Sequence, residues 1–136
     1  MIAAIENLLP HRTPMLWIDA LTDCTETTAR ATATFSAEHF AVVDGAILEP
    51  ALVECIAQTV AAALGQLSKT VEPSDGVRGG MLVAVSNFKI HSRPPLGKTL
   101  QIEVRQRKRL GPMLMVSGSI SCDGQPIAAG ELTLYA

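Results

Sequence analysis

Between Thr27 and Phe35 the chain alternates with a period of two. Ala29, Ala31, Ala33 and Phe35 fall on one side, and Arg30, Thr32 and Thr34 on the other. Successive side chains of a strand point to opposite faces, so this segment predicts a half-buried strand. Residues 99–107 (TLQIEVRQR) alternate in the same way, with Leu100, Ile102 and Val104 inward. Residues 81–90 open as a continuous apolar run, and residues 112–121 and 126–135 complete four later strands. The turns between them carry Pro94-Pro95-Leu96-Gly97, Leu110-Gly111-Pro112 and Asp123-Gly124. Asp-Gly between two apolar runs signals a hairpin. Nearer the start, Ile2, Ile5, Leu8 and Leu9 have helical spacing, which predicts a short helix over residues 2–9 that Pro10 ends. A turn at His11-Arg12-Thr13-Pro14 follows, then a buried strand over residues 15–21 (MLWIDAL). Residues 36–48 have no clean period, and Asp44-Gly45 marks a turn within them.

Residues 51–68 behave differently. They contain no proline and one charge, Glu54, and Pro50 suits the first turn of a helix. One helix, roughly 28 Å long, is predicted here. It is apolar nearly all round, so it should be buried rather than lie on a surface. Residues 69–80 read as a polar loop containing Arg78-Gly79-Gly80. A helix with no polar face needs cover on every side, and one antiparallel sheet curled around it supplies most of that cover. The expected fold class is therefore α+β, a hotdog fold with an antiparallel sheet wrapped around one long central helix, in a single domain over residues 1–136. A single wrapped sheet leaves an edge strand and part of the helix uncovered, so a two-fold homodimer at least is expected.

Composition sharpens this. Of the 136 residues, 48% are hydrophobic but only 4% aromatic, so the core must be built from small aliphatic side chains. The mean hydropathy is +0.28 and charged residues make up 18%, which also fits a surface partly covered by a second subunit. The net charge of −2 excludes a global field that draws nucleic acid. It divides unevenly: residues 1–68 carry −6 and residues 69–136 carry +4. The basic half could dock an acidic partner. Arg105, Arg107 and Arg109 would share one strand face, either as a solvated face or as a dock for phosphate or an acidic protein. Cys24, Cys55 and Cys122 show no metal-binding spacing and are expected to be reduced, in a cytoplasmic protein. The uncharged run after Glu54 is 14 residues, short of a membrane span, so no membrane partner is expected. No phosphate loop and no nucleophile elbow are present, and neither cofactor nor metal is expected.

Glu54 is the most informative residue. Gln58 follows at i+4, and Ala61 and Gly65, both small, continue the same helix face. A carboxyl and an amide beside small residues would line a narrow apolar channel. Desolvation there would favour the protonated carboxyl, which suits a general acid. The alternative is a helix-start carboxylate held by the macrodipole. His11, in a turn between two prolines, His39, in the segment before the helix, and His91, at a strand end, are the candidate partners.

Several segments resemble one family, the bacterial β-hydroxyacyl-acyl-carrier-protein dehydratases. LLPHRTPMLWIDAL is similar to their N-terminal LPHR-P motif. ALVECIAQTVAAALG is similar to their central-helix motif, in which Ala-Gln follows a Glu by three and four residues. LVAVSNFKIHSRPPLGKTLQIEV and CDGQPIAAGELTL are similar to their later strands. By pattern the chain is most similar to the small dehydratase-like proteins of aryl-polyene and related clusters. The resemblance implies a hotdog fold, as a dimer or a trimer of dimers (a hexamer). It implies removal of water from a 3-hydroxyacyl thioester, on carrier protein or coenzyme A, to give a trans-2-enoyl thioester. In the family a His takes the α proton and a Glu, directly or through water, protonates the leaving hydroxyl. The two residues come from different subunits, and a backbone N–H at the helix start polarises the thioester carbonyl.

Carried over by position, Glu54 matches the catalytic carboxylate. Gln58 matches the following Gln and, with Pro50, is an expected substrate-binding position. The family's His, 14 residues before the Glu, falls on Phe40; His39-Phe40 copies only the His-Phe pair, and Ala41-Val42 and Leu48-Glu49 replace the flanking Pro and Gly positions. An alignment through Asp44-Gly45 puts that position on Ala46 instead. His11 and His39 are therefore the candidate bases. Two other readings stay open: a hotdog acyl-thioesterase using Glu54 to activate water, and a non-catalytic acyl-binding or heterodimer subunit that has lost its base.

Overall fold

The small residues that the composition demanded decide how the helix meets the sheet. In the computed structural model, which describes residues 2–68 and 81–135, α1 (Glu49–Leu67) lies against one curled antiparallel sheet. The sheet holds β1 (Ala20–Cys24), β2 (Thr28–Thr34), β5 (Met81–Ile90), β6 (Thr99–Leu110), β7 (Met113–Cys122) and β8 (Gln125–Tyr135), in the spatial order β1-β2-β6-β7-β8-β5. Two short strands, β3 (Val42–Val43) and β4 (Ala46–Ile47), form a separate hairpin just before the helix. This is the expected hotdog arrangement.

The inner face of the sheet carries Ala29, Ala31 and Ala33 from β2, then Leu100, Ile102 and Val104 from β6, all buried as their alternation predicted. On the helix, Ala51, Leu52, Cys55, Ile56 and Ala57 and the run Thr59–Ala63 are buried with them. By length and composition α1 could cross a membrane, but most of its residues are buried inside the fold, so it is the core. Contact is closest at Gly118 of β7, where an added Cβ would stand 2.5 Å from Cγ2 of Ile56. Asp44-Gly45 and Asp123-Gly124 both turn through paired positive φ values, the combination that two-residue hairpins require.

Three expectations need correction. The N-terminal helix contracts to a single 3-10 turn, Ile5–Asn7, although Ile5, Leu8 and Leu9 are buried as predicted. The strand expected over residues 15–21 begins only at Ala20, because the N–H groups of Trp17 and Ile18 donate to the Gln58 side chain rather than to a neighbouring strand. Pairing with β2 starts where the Asp19 N–H reaches the Thr32 carbonyl. Along β6 a bulge between Gln106 and Lys108 shifts the register, so Lys108 lies opposite Met115 and Arg109 opposite the buried Leu114. Arg109 therefore leaves the face it was expected to share with Arg105. The loop expected over residues 69–80, with Arg78-Gly79-Gly80, lies outside the described residues.

The apolar run of β5 occupies a sheet edge and pairs only with β8. Met81, Val83, Val85 and Ile90 are exposed there, as sheet edges awaiting a partner often are.

The close approach at Gly118 yields a test. Gly118→Ala should destabilise the fold by about 1–3 kcal/mol through overpacking against Ile56. In an Ile56→Ala background the same substitution should cost clearly less, a coupling that thermal denaturation of the four variants reads directly.

Candidate active site

Gln58 organises the site. It sits on the third turn of α1 and is 1% exposed. Its Oε1 accepts the N–H groups of Trp17 at 2.9 Å and Ile18 at 3.3 Å. Its Nε2 donates to the Met15 carbonyl at 2.8 Å and to Glu54 Oε2 at 3.1 Å. An amide has two acceptor sites and two donors, so this one is fully used. One side chain thus fastens residues 15–18 to the helix and fixes the carboxylate one turn earlier.

The N-terminal segment lies along the helix face that was expected to line a channel. Gly65 meets the Leu8 backbone, whose carbonyl oxygen would stand 2.8 Å from an added Cβ. The Ala3 N–H donates to Gln66 Oε1 at 2.9 Å. The face of Glu54, Gln58, Ala61 and Gly65 is therefore covered rather than open. The physical reason is that Gly65 admits a backbone and Gln58 satisfies one. Only the Glu54 end stays accessible, and its side chain is 33% exposed, half-buried rather than buried.

His11 faces Glu54 at that end. Its Nε2 lies 3.7 Å from Glu54 Oε2, with a side-chain exposure of 33%. Arg12 holds the turn, donating from Nη1 to the carbonyls of Leu9 and His11 and from Nη2 to the carbonyl of Glu6. The sequence places Arg12 in the turn and in the LPHR-P segment but does not show this bracing role. Its place beside the histidine in a proline-bounded turn was the available signal. The His11 Nδ1 is buried without a hydrogen-bond partner.

His39 is held elsewhere. Its ring packs edge-on against Phe35 at 4.5 Å and Trp17 at 6.0 Å. Its Nδ1 accepts the Ala41 N–H at 2.9 Å, which assigns the proton of a neutral ring to Nε2. With one nitrogen occupied and the other protonated, His39 is placed to donate rather than to accept. Burial holds its pKa below the usual histidine value, against the opposing pull of Asp19. Burial in turn raises Asp19 above the usual carboxylate value, while hydrogen bonds from Thr34 oppose the rise. Among the described residues, His11 is the only histidine within 4.0 Å of a carboxylate. His91 is exposed at the end of the sheet, where its backbone N–H donates to the Ile127 carbonyl. Pro50 is exposed in the first turn of α1, close in sequence to Glu54. Cys55, fully buried, has its thiol pushed far up by burial and is chemically quiet.

This arrangement can hold an acid and a base on adjacent atoms of one substrate. A gap of 3.7 Å is too long for a hydrogen bond between the two groups and short enough for both to reach bonds on neighbouring carbons.

The ApeP-like family, described as ApeP dehydratase, matches residues 3–136. The 3-hydroxyacyl-(acyl-carrier-protein) dehydratase FabZ of Lactococcus lactis subsp. cremoris (strain MG1363) is 28% identical over 141 aligned positions, covering 97% of this chain and 92% of the relative. Among solved structures, the dehydratase heterocomplex ApeI:P from Xenorhabdus doucetiae superposes with a TM-score of 0.87 at 21% identity, covering 99% of this chain and 91% of that one. Zebra fish thioesterase superfamily member 2 superposes with a TM-score of 0.65 at 12% identity, covering 86% and 80%, and shares the fold.

Removing the amide should release the site. Gln58→Leu leaves the Trp17 and Ile18 N–H groups and the Met15 carbonyl without their partner. Unpaired buried groups cost about 1–3 kcal/mol each, so the loss should exceed that of one hydrogen bond. Denaturant titration measures it, and hydrogen exchange should show Trp17 and Ile18 losing protection first.

Proposed function

The chain belongs to the ApeP-like dehydratase family, and on that premise we propose that it converts a 3-hydroxyacyl thioester to the trans-2-enoyl thioester using Glu54 and His11. The observation that carries this reading is the His11–Glu54 pair at 3.7 Å, fixed on one side by Gln58 and on the other by Arg12. The reaction requires His11 with Nε2 free to accept a proton and a proton on Glu54 to give. His11 Nε2 takes the proton from C2. Glu54 gives its proton to the C3 hydroxyl, which leaves as water while the C2–C3 double bond forms. The proton on His11 then returns to Glu54 across the gap, directly or through a water, and both groups are restored. The helix start beside Pro50 directs the positive end of the α1 dipole at the thioester carbonyl, where negative charge develops.

A second subunit belongs to this proposal. The crevice between the second half of α1 and the sheet, lined by Val60, Ala63, Leu64 and Leu67 with Val104 and Leu114, holds about 40 Å³. That is room for little more than a water and too little for an acyl chain. The orphaned His11 Nδ1 and the exposed side chains of Phe40, Val43 and Leu48 near the helix start also await cover. A second hotdog subunit pairing along β5 would supply it, either another copy (as a homodimer or hexamer) or a related chain, as in the ApeI:P heterocomplex. The acyl group would arrive on a carrier protein or coenzyme A, and the compartment proposed is the cytoplasm, where three free thiols persist. Phe40, at the family's usual histidine offset, favours one further reading, a subunit that depends on its partner for the base.

Purified protein incubated with a short 3-hydroxyacyl thioester should form the enoyl product. Glu54→Gln should lower the rate at least ~100-fold, the lower range for losing a general acid, with the fold retained. Thiol release without enoyl would replace the dehydratase with a thioesterase. Neither product would leave an acyl-binding or heterodimer subunit.

A further inference from the structure

His39 takes no part in the chemistry proposed above, yet the segment between β2 and α1 is organised around it. Its N–H donates to the Ser36 carbonyl at 3.0 Å, and its carbonyl accepts the Val42 N–H at 2.9 Å. Its ring nitrogen Nδ1 accepts the Ala41 N–H at 2.9 Å. Ala41 is buried, and its carbonyl accepts the N–H of Leu48, the residue at the start of α1, at 2.9 Å. A path of hydrogen bonds therefore runs from the imidazole to Ala41 and from Ala41 to the helix start. The other end of the β3–β4 hairpin is tied down by Arg93, whose Nη2 donates to the Gly45 carbonyl at 3.0 Å.

The two ties differ in one respect. A guanidinium keeps its charge at any pH a protein meets, whereas an imidazole changes state in the mildly acidic range. The neutral ring has one accepting nitrogen, and the charged ring has none, because both nitrogens then donate. A proton on Nδ1 would set one N–H against another, and the bond to Ala41 would be lost. The rings of Phe35 and Trp17 pack edge-on against His39, so the imidazole keeps its place and Ala41 is the partner released. We propose that His39 is a proton-operated latch on the hairpin before α1. Neutral, its Nδ1 holds the Ala41 amide and fixes the helix start; protonated, it lets Ala41 go and loosens that start.

The surroundings set the direction. Burial favours the neutral ring and holds its pKa below the usual histidine value. Asp19, on the segment before β1, is the charged group that acts on the ring, and it pulls the other way. Phe35 and Thr34 of β2 and Trp17 carry no charge, and Glu38, on the segment itself, is exposed. The unfolded chain therefore takes up this proton more readily than the folded one. The latch gives its full stability above the ordinary histidine value and loses it as pH falls through the lower folded value. Under the function proposed above, mild acid would loosen the backbone that faces the thioester carbonyl. The latch itself does not depend on that reading.

Amide exchange at Ala41 and Leu48, taken as protection relative to a free amide, tests the latch without any activity, beside the imidazole resonances of His39. In the wild-type protein, Ala41 protection should fall about tenfold as the ring ionises, the size of one net hydrogen bond, and Leu48 should follow. His39→Asn places a carbonyl oxygen where Nδ1 stood, the arrangement by which Asn holds the amide two residues on, and it does not titrate. That variant should keep Ala41 protected from about pH 8 to about pH 4, whereas His39→Leu should leave it unprotected throughout. Asp19→Asn, which removes the charge favouring the protonated ring, should move the loss to lower pH. Three results would overturn the proposal. They are Ala41 protection that holds steady while the His39 ring ionises, a ring that stays neutral across the range, and the same loss of protection in His39→Asn.

Discussion

The side-chain amide of Gln58 ties the chemistry of this protein to its fold. Buried in α1, it can be tolerated only if its donors and acceptors all find partners. It finds them in the backbone of residues 15–18 and in Glu54. The same requirement therefore ends the N-terminal segment as irregular chain and orients the Glu54 carboxylate. If the amide were replaced by an apolar group, the segment carrying His11 would lose its fastening to the helix near that carboxylate.

Packing sets the stage for that amide. Alanines on β2 and on α1, with Gly118 on β7 and Gly65 under Leu8, let a helix, a sheet and an extended segment approach closely. The shortage of aromatic residues is part of the same solution, because larger side chains would hold the layers apart. The crevice that close packing leaves beside α1 is small, so under the proposed function an acyl chain would be held on surfaces that a second subunit completes. The apolar edge of β5 and the exposed residues around the helix start are both consistent with that division of labour.

The helix, the strands β2 and β5 to β8 and the Asp-Gly turns were legible in the sequence because they depend on local periodicity and turn chemistry, whereas β1 lies C-terminal to most of the segment expected to form it. Leu100, Ile102 and Val104 declare their face by alternation, and Asp123-Gly124 declares its turn. Gln58 was legible as a residue that matters, through its i+4 spacing from Glu54, but its role was not. Its partners lie about 40 residues away in sequence, as backbone groups that carry no side-chain signature. The predicted channel failed for that reason. The bulge in β6 was likewise invisible, since one extra residue in a charged stretch changes no pattern. Of the candidate bases, the sequence offered His11 and His39 on equal terms. The geometry separates them, because His39 is engaged by Ala41, Phe35 and Trp17 while His11 faces Glu54.

That separation is the claim on which the reaction rests, and loss of deuterium from C2 reports on it. A 3-hydroxyacyl thioester deuterated at C2 would be turned over by the wild-type protein, by His11→Ala and by His39→Ala. If His11 takes the proton, deuterium leaves C2 with the wild-type protein and with His39→Ala, and stays in place with His11→Ala. Loss of deuterium that survives in His11→Ala and stops in His39→Ala would contradict the assignment and make His39 the base.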